Sequence, residues 1–307
     1  MTSPEAVRIF LKGMCMGTAD VVPGVSGGTM ALILGIYQRL LEAIRSFDVQ
    51  LIKLLVRLEI RAAIRHVDLW FLVVLGSGIF SSILFFTRVI PLPSLVQTDP
   101  EPVFALFFGL IVGSIIVLFR GLGKLSVLDY VLTAAGVGIG FAVVNLVPVN
   151  TPEASWFIFL TGMVAISALL VPGLSGSFLL LIMKKYAYIL DAIGRFDFTI
   201  IMPFGLGAVV GVALFSRVLS WLLRNMYQHT LVTIIGILIG ALWVIWPFQE
   251  RVYETVREKA RLVSSDPILP STVDAETGLA IGLAVIGFVG VMLLSRLGNR
   301  ASLASST

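Results

Sequence analysis

The chain has 307 residues, 58% of them apolar and only 13% charged, and its mean hydropathy is +1.01. A soluble domain carries about 45–50% apolar and about 25% charged residues, so a soluble multidomain protein is excluded and helical membrane spans are expected. A formal charge of +4 gives nucleic-acid binding no support, Cys15 is the single cysteine, and the two histidines His66 and His229 form no Cys/His cluster. No disulfide, metal site or cofactor is therefore expected. Continuous apolar runs argue against a β-barrel, and no cleavable leader is read at the N-terminus.

In chain order, six segments are long enough to cross the bilayer: roughly 69–90, 103–119, 128–147, 199–223, 231–247 and 278–294. Two further apolar regions, 6–44 and 156–193, are interrupted near the middle by Pro, Gly and Ser. Each predicts two helices of about 15 residues, or ~22 Å at 1.5 Å per residue, too short for a core of ~30 Å. Each is read as a re-entrant hairpin.

Charge sets the orientation. With the N-terminus inside, the inner segments hold Arg8, Lys12, Arg39, Arg45, Lys53, Arg57, Arg61, Arg65, Arg120, Lys124, Arg224, Arg296 and Arg300, against six acidic residues. The outer segments hold Arg195, Arg251, Arg257, Lys259 and Arg261, against eleven acidic residues. Both termini are predicted cytoplasmic.

The interrupted regions match each other. Over Val22–Asp48 and Val171–Asp197, 13 of 27 positions are identical without a gap. Phe86-Thr-Arg-Val89 then matches Phe215-Ser-Arg-Val218. Gly76 and Gly78 match Gly205 and Gly207, Gly109 and Gly113 match Gly236 and Gly240, and Gly140-Phe141 matches Gly287-Phe288. Two insertions break the offset. In 49–66, Lys53, Arg57, Arg61 and Arg65 recur every fourth residue, which predicts an interfacial helix with one basic face. In 248–274, an external loop, Glu250, Glu254 and Glu258 have the same spacing and predict a helical stretch.

The expected fold is an all-α integral membrane protein with an inverted-topology repeat. Each half, 1–150 and 151–307, holds one re-entrant hairpin and three spans. Three crossings are odd, so the second half lies upside down, as in secondary transporters with discontinuous helices. The small-residue pairs Gly109/Gly113 and Gly236/Gly240 allow packing within the chain or in a homo-oligomer.

Gly24, Ser26, Gly27, Gly28 and Thr29 open one helix inside the membrane, and Gly173, Ser175, Gly176 and Ser177 open another. Helix N-termini leave N–H groups unpaired, those donors need partners in hydrocarbon, and two such ends make a site for phosphate or carboxylate. Capping and tight packing are the alternative use of these Ser and Gly residues. Arg88 and Arg217 are repeat-related intramembrane cations that suit a phosphate, or snorkel to the surface. Asp20, replaced by Leu169 in the second half, carries a coupling proton or caps the break. Lys184 and Lys185 are expected to snorkel, or to attract an anionic headgroup at the external surface, and Tyr37 and Tyr186 to anchor at the interfaces.

The run Met16-Gly-Thr-Ala-Asp-Val-Val-Pro-Gly-Val-Ser-Gly-Gly-Thr29, followed by Leu34-Gly-Ile-Tyr37, resembles the signature of the PopT-type polyprenyl-phosphate transporters. The resemblance implies a prokaryotic plasma-membrane protein, not an enzyme, that returns undecaprenyl phosphate from the outer to the inner leaflet for cell-envelope synthesis. The implied partners are that lipid and the surrounding membrane lipids, with proton or sodium coupling open. An undecaprenyl pyrophosphate phosphatase is one rival, but Gly27 and Gly176 stand where its motif carries Arg, and no membrane-embedded Glu-x-x-x-Glu is present. A small-anion exchanger or channel is another, since lateral openings for a lipid are not legible in sequence.

Overall fold

A computed structural model describes residues 3–21, 26–90, 95, 98–146, 151–256, 259–270 and 274–304. Helices α1 (Ser3–Val21), α2 (Gly27–Ile33) and α3 (Tyr37–Arg45) form the first interrupted region. Two short helices follow, α4 (Val49–Val56) and α5 (Ile60–His66), then α6 (Leu69–Arg88), α7 (Pro100–Arg120) and α8 (Val127–Val144). The second half repeats this order with α9 (Ser155–Leu170), α10 (Gly176–Ile182), α11 (Tyr186–Gly194), α12 (Phe198–Asn225) and α13 (Tyr227–Ile245). The strands β1 (Gln249–Val256) and β2 (Lys259–Pro267) precede the last helix, α14 (Ala275–Ala304). The six helices α6, α7, α8, α12, α13 and α14 are long and apolar enough to cross a membrane, and they fall on the six predicted spans.

Three local expectations are overturned. The interrupted regions do not form two equal arms. The entering helix is long, 19 residues in α1 and 16 in α9, and the return is split into helices of 7 and 9 residues. The second split falls at Gly35 (φ 68°) in one half and at its counterpart Lys184 (φ 51°) in the other. A left-handed residue ends a helix because it turns the chain out of the hydrogen-bonded spiral. The 49–66 insertion is likewise two helices, parted by a turn in which Leu58 has φ 59°, so its four basic residues do not share one continuous face. The 248–274 insertion is not helical. β1 and β2 pair antiparallel with a bulge at Val252/Tyr253, as the β-branched and aromatic residues Val252, Tyr253, Thr255 and Val256 favour. The glutamate spacing reflects nothing helical there, and Glu258 lies outside the described residues.

Packing partners recur between halves. α1 lies on α6 and α9 on α12, while α8 crosses α13 and α14 crosses α7. Glycine makes each crossing close. A Cβ on Gly78 would strike the Phe10 carbonyl, and one on its counterpart Gly207 would strike that of Phe159. Gly109 faces the Ala284 carbonyl and Gly236 that of Thr133. The small-residue pairs thus pack within the chain. Without a hydrophobic force between helices in lipid, such backbone approach supplies the dispersion contacts that hold spans together.

The α8–α13 crossing is locked at one end by a buried carboxylate. Asp129 closes a capping box with Ser126 and also meets Gln228 Nε2 at 2.9 Å and His229 Nδ1 at 2.7 Å. The core lies around α2 and α3, whose Met30, Ala31, Tyr37 and Leu41 are buried among residues of α1, α6, α7, α12 and α13.

Candidate functional site

The site is built on the breaks. α2 runs back along α1, and two α1 side chains hold its ends. Asp20 Oδ1 accepts from Gly27 N at 2.7 Å, and Lys12 Nζ donates to Leu34 O at 2.7 Å. The two α1 residues are eight apart, about 12 Å along a helix, which matches the seven-residue length of α2. An anion at the N-terminus and a cation at the C-terminus also complement the helix dipole. The second half keeps the geometry without the charges. Leu169, in the place of Asp20, stands against Gly176, the counterpart of Gly27. Thr161, in the place of Lys12, reaches Met183, the counterpart of Leu34.

The two halves meet here. Gly173 N donates to Thr29 Oγ1 at 2.9 Å, across 144 residues of chain. A Cβ on Gly28 would lie 3.1 Å from Leu169 O, and the Tyr37 hydroxyl donates to Leu170 O. Gly173 (φ 91°) turns against Ile237 and Leu238 of α13, the middle of the most enclosed span. Ser26 is 2% exposed, and its Oγ has no hydrogen-bond partner among the described residues. A buried hydroxyl without a partner costs about 1–3 kcal/mol. Ser216 Oγ, on α12, is buried and also has no hydrogen-bond partner among the described residues.

The other expected site residues are placed as follows. Ser175 Oγ accepts from Phe178 N at 3.4 Å and so caps α10. Gly176 packs on the Ala165 carbonyl, and Ser177 lies in the first turn of α10. Gly24 lies outside the described residues. Arg88 is the last residue of α6. Arg217 is exposed on α12, and its Nη1 donates to Ala213 O of its own helix at 3.1 Å, so no contact joins it to the breaks among the described residues.

Two interfacial expectations are corrected. Tyr37 is 3% exposed and spends its hydroxyl on α9, so it is an internal strut; Tyr186 is exposed. Lys185 is 3% exposed, donates to Thr151 O at 3.1 Å and lies over the Tyr188 ring, so it does not snorkel. Sequence reading missed the Lys12 and Tyr37 contacts because their acceptors are main-chain carbonyls, which leave no residue-type signal. Among the described residues no three His, Cys, Asp or Glu side chains gather as a metal site requires.

An apolar recess of about 320 Å³ opens between α7 and α14, lined by Phe108, Val112, Trp246, Phe248, Val285 and Phe288 among others. Trp246 is fixed there by its Nε1 donating to Ile268 O at 2.9 Å.

Residues 16–263 match the VCA0040-like family, described as undecaprenyl phosphate translocase-like. The chain belongs to this family. The VCA0040-like proteins are transporters and not enzymes. Within the family, the chain is similar to a polyprenyl-phosphate transporter of Vibrio cholerae, 39% identical over 241 residues, 78% of each chain. It is also similar to one of Staphylococcus aureus, 28% identical over 268 residues, 78% of this chain and 85% of the relative. No solved structure matches the chain.

Proposed function

We propose that this VCA0040-like protein carries a polyprenyl monophosphate, undecaprenyl phosphate, from the outer to the inner leaflet of a prokaryotic plasma membrane. Family membership and the V. cholerae relative support the substrate class. The observation that supports the site is the hydrogen bond from Gly173 N to Thr29 Oγ1, which joins the helix that follows the first break to the second break.

In this reading regions 6–44 and 156–193 are re-entrant hairpins, the halves are inverted, and both termini are cytoplasmic. The recurrent element order, paired glycine crossings and antiparallel run of α2 along α1 support it. The phosphate is held by the hydroxyls of Ser26, Thr29, Ser175 and Ser177 and by the N–H groups of Gly24, Gly28 and Gly176, and it takes the Gly27 and Gly173 N–H groups only when Asp20 Oδ1 and Thr29 Oγ1 release them. Arg88 and Arg217 hand the headgroup between the site and the two surfaces. The prenyl chain lies in lipid or in apolar recesses such as that between α7 and α14. Alternating access follows when one half rocks against the other about the central site.

Asp20 already holds the Gly27 N–H. A carboxylate and a phosphate compete for the same donor and repel each other. A proton on Asp20 removes the repulsion, so proton coupling through Asp20 is the form of energy coupling that this geometry favours.

The test is a leaflet assay in proteoliposomes with labelled undecaprenyl phosphate, recording phosphate release in the same samples. Protein-dependent flipping without phosphate release, lost in Arg217→Ala and Ser26→Ala, is expected. Absence of flipping under every imposed ion gradient overturns the reading in favour of small-anion exchange, and release of phosphate from the pyrophosphate form overturns it in favour of hydrolysis.

A further inference from the structure

At the α4–α5 end of the bundle a second polar cavity, about 450 Å³, is lined by Glu5, Arg39, Arg61, Arg65, Asp68 and Trp70 together with two aliphatic side chains. Its size lies within the usual range for small-ligand sites. The charges in it are of two kinds. Arg39 is committed: its Nε meets Asp68 at 2.7 Å, its Nη1 meets Glu5 at 3.1 Å, and its guanidinium lies 4.4 Å from the Phe71 ring centre. Both carboxylates in the lining are thereby used. Arg61 and Arg65 are exposed and have no hydrogen-bond or ion-pair partner among the described residues. They are four residues apart on α5, so they lie on the same face, and the turn at Leu58 separates them from Lys53 and Arg57. Trp70, 64% exposed, stands beside them at the first turn of a span, where tryptophan marks the headgroup level.

Two uncommitted guanidinium groups beside the first turn of a span, walled by a fixed Arg39 and an exposed indole, match a dianionic phosphate, which each can bind bidentately. A tryptophan at the start of a span sets the cavity beside the headgroup layer, where the anion at hand is the phosphate of a lipid. We infer that this cavity is a second, peripheral binding site for the phosphate head of a polyprenyl monophosphate, where the lipid docks in the leaflet next to α5 on its way to or from the central site. The inference rests on the substrate class proposed above and is independent of the direction of transport.

The test counts lipids bound to the purified full chain by native mass spectrometry, titrating undecaprenyl phosphate, undecaprenol, phosphatidylglycerol and inorganic phosphate. The double variant Arg61→Ala/Arg65→Ala is expected to lose one bound undecaprenyl phosphate, or to weaken it at least tenfold, with an unchanged melting temperature. Arg57→Ala removes a charge from the same segment outside the cavity and is expected to bind like the wild type. Equal binding by the double variant overturns the inference. So does an equal loss in Arg57→Ala, which indicates diffuse surface charge. Retention of undecaprenol or phosphatidylglycerol as tightly as the monophosphate also overturns it, as does occupancy by inorganic phosphate alone. A wild-type chain that binds no undecaprenyl phosphate at either site overturns the functional proposal itself, a result distinct from loss at this cavity alone.

Discussion

The Thr29 hydroxyl accepts the Gly173 N–H at 2.9 Å, so the helix start in one half is fastened to the break in the other. Thr29 is buried, and its hydroxyl satisfies a main-chain donor that the break at Gly173 leaves open. Replacing Thr29 by Val keeps the shape and orphans the Gly173 N–H. The expected loss is about 1–3 kcal/mol, read as a lower melting temperature in detergent, with transport falling in parallel. Thr29→Ser restores the acceptor and is expected to recover most of both. A Thr29→Val protein that melts and transports like the wild type would show that the junction is incidental.

Asp20 and Lys12 clamp the two ends of α2 from one face of α1, and their roles separate by substitution. Lys12→Met removes the donor at the C-terminal end and is expected to loosen α2, seen as faster amide exchange over residues 27–34. Asp20→Asn keeps an acceptor for Gly27 N and removes only the charge. It is expected to leave that exchange near wild type, to tighten undecaprenyl phosphate binding at neutral pH, and to remove the response of transport to a proton gradient. Transport by Asp20→Asn that still follows the proton gradient would take the coupling role away from Asp20.

The glycines at the crossings do not all matter alike. A Cβ at Gly136 meets the Thr233 carbonyl, and one at Gly236 meets that of Thr133, both on the α8–α13 contact. Gly136→Ala therefore has to push two backbones apart, at a cost of about 1–3 kcal/mol for overpacking. Gly76 and Gly205 are repeat-related helix glycines with no atom within 4 Å of an added Cβ. Gly76→Ala and Gly205→Ala are expected to be neutral, or to stabilise by up to about 1 kcal/mol through helix propensity. Thermal unfolding of the three variants side by side checks the contrast.

These residues also show where sequence reading reaches its limit. The six spans were legible because hydropathy over about 20 residues is an unambiguous signal. The breaks were legible because Val-Pro-Gly-x-Ser-Gly occurs twice. What was misread depended on a single backbone angle or on a main-chain partner. Lys184 adopts the left-handed turn that Gly35 takes in the first half, which nothing in its residue type announces. Tyr37 has the composition of an interface anchor, yet it lies inside because the end of α9 offers it a carbonyl. In the 248–274 insertion, glutamates four apart imitated a helix while the residues between them favoured strand.

Asp48 supplies a pH test away from the spans. It caps α4 by accepting from Leu51 N at 3.0 Å and faces His66 Nε2 at 3.0 Å, which ties the start of α4 to the end of α5. The Leu51 N–H chiefly, with help from His66, holds its carboxyl below the usual carboxylate range. A depressed folded-state value means that the contribution is complete above the ordinary carboxylate value, about 4, and is lost as pH falls through the lowered one. Amide exchange over residues 49–66, corrected for intrinsic pH dependence, is thus expected to stay flat from pH 7 to 5 as far as Asp48 governs it, and to rise only in stronger acid. Asp48→Ala removes the cap at every pH, costing about 1 kcal/mol locally, or about fivefold faster exchange, and abolishes the acid-dependent rise. A rise that persists unchanged in Asp48→Ala would assign the acid response to another group.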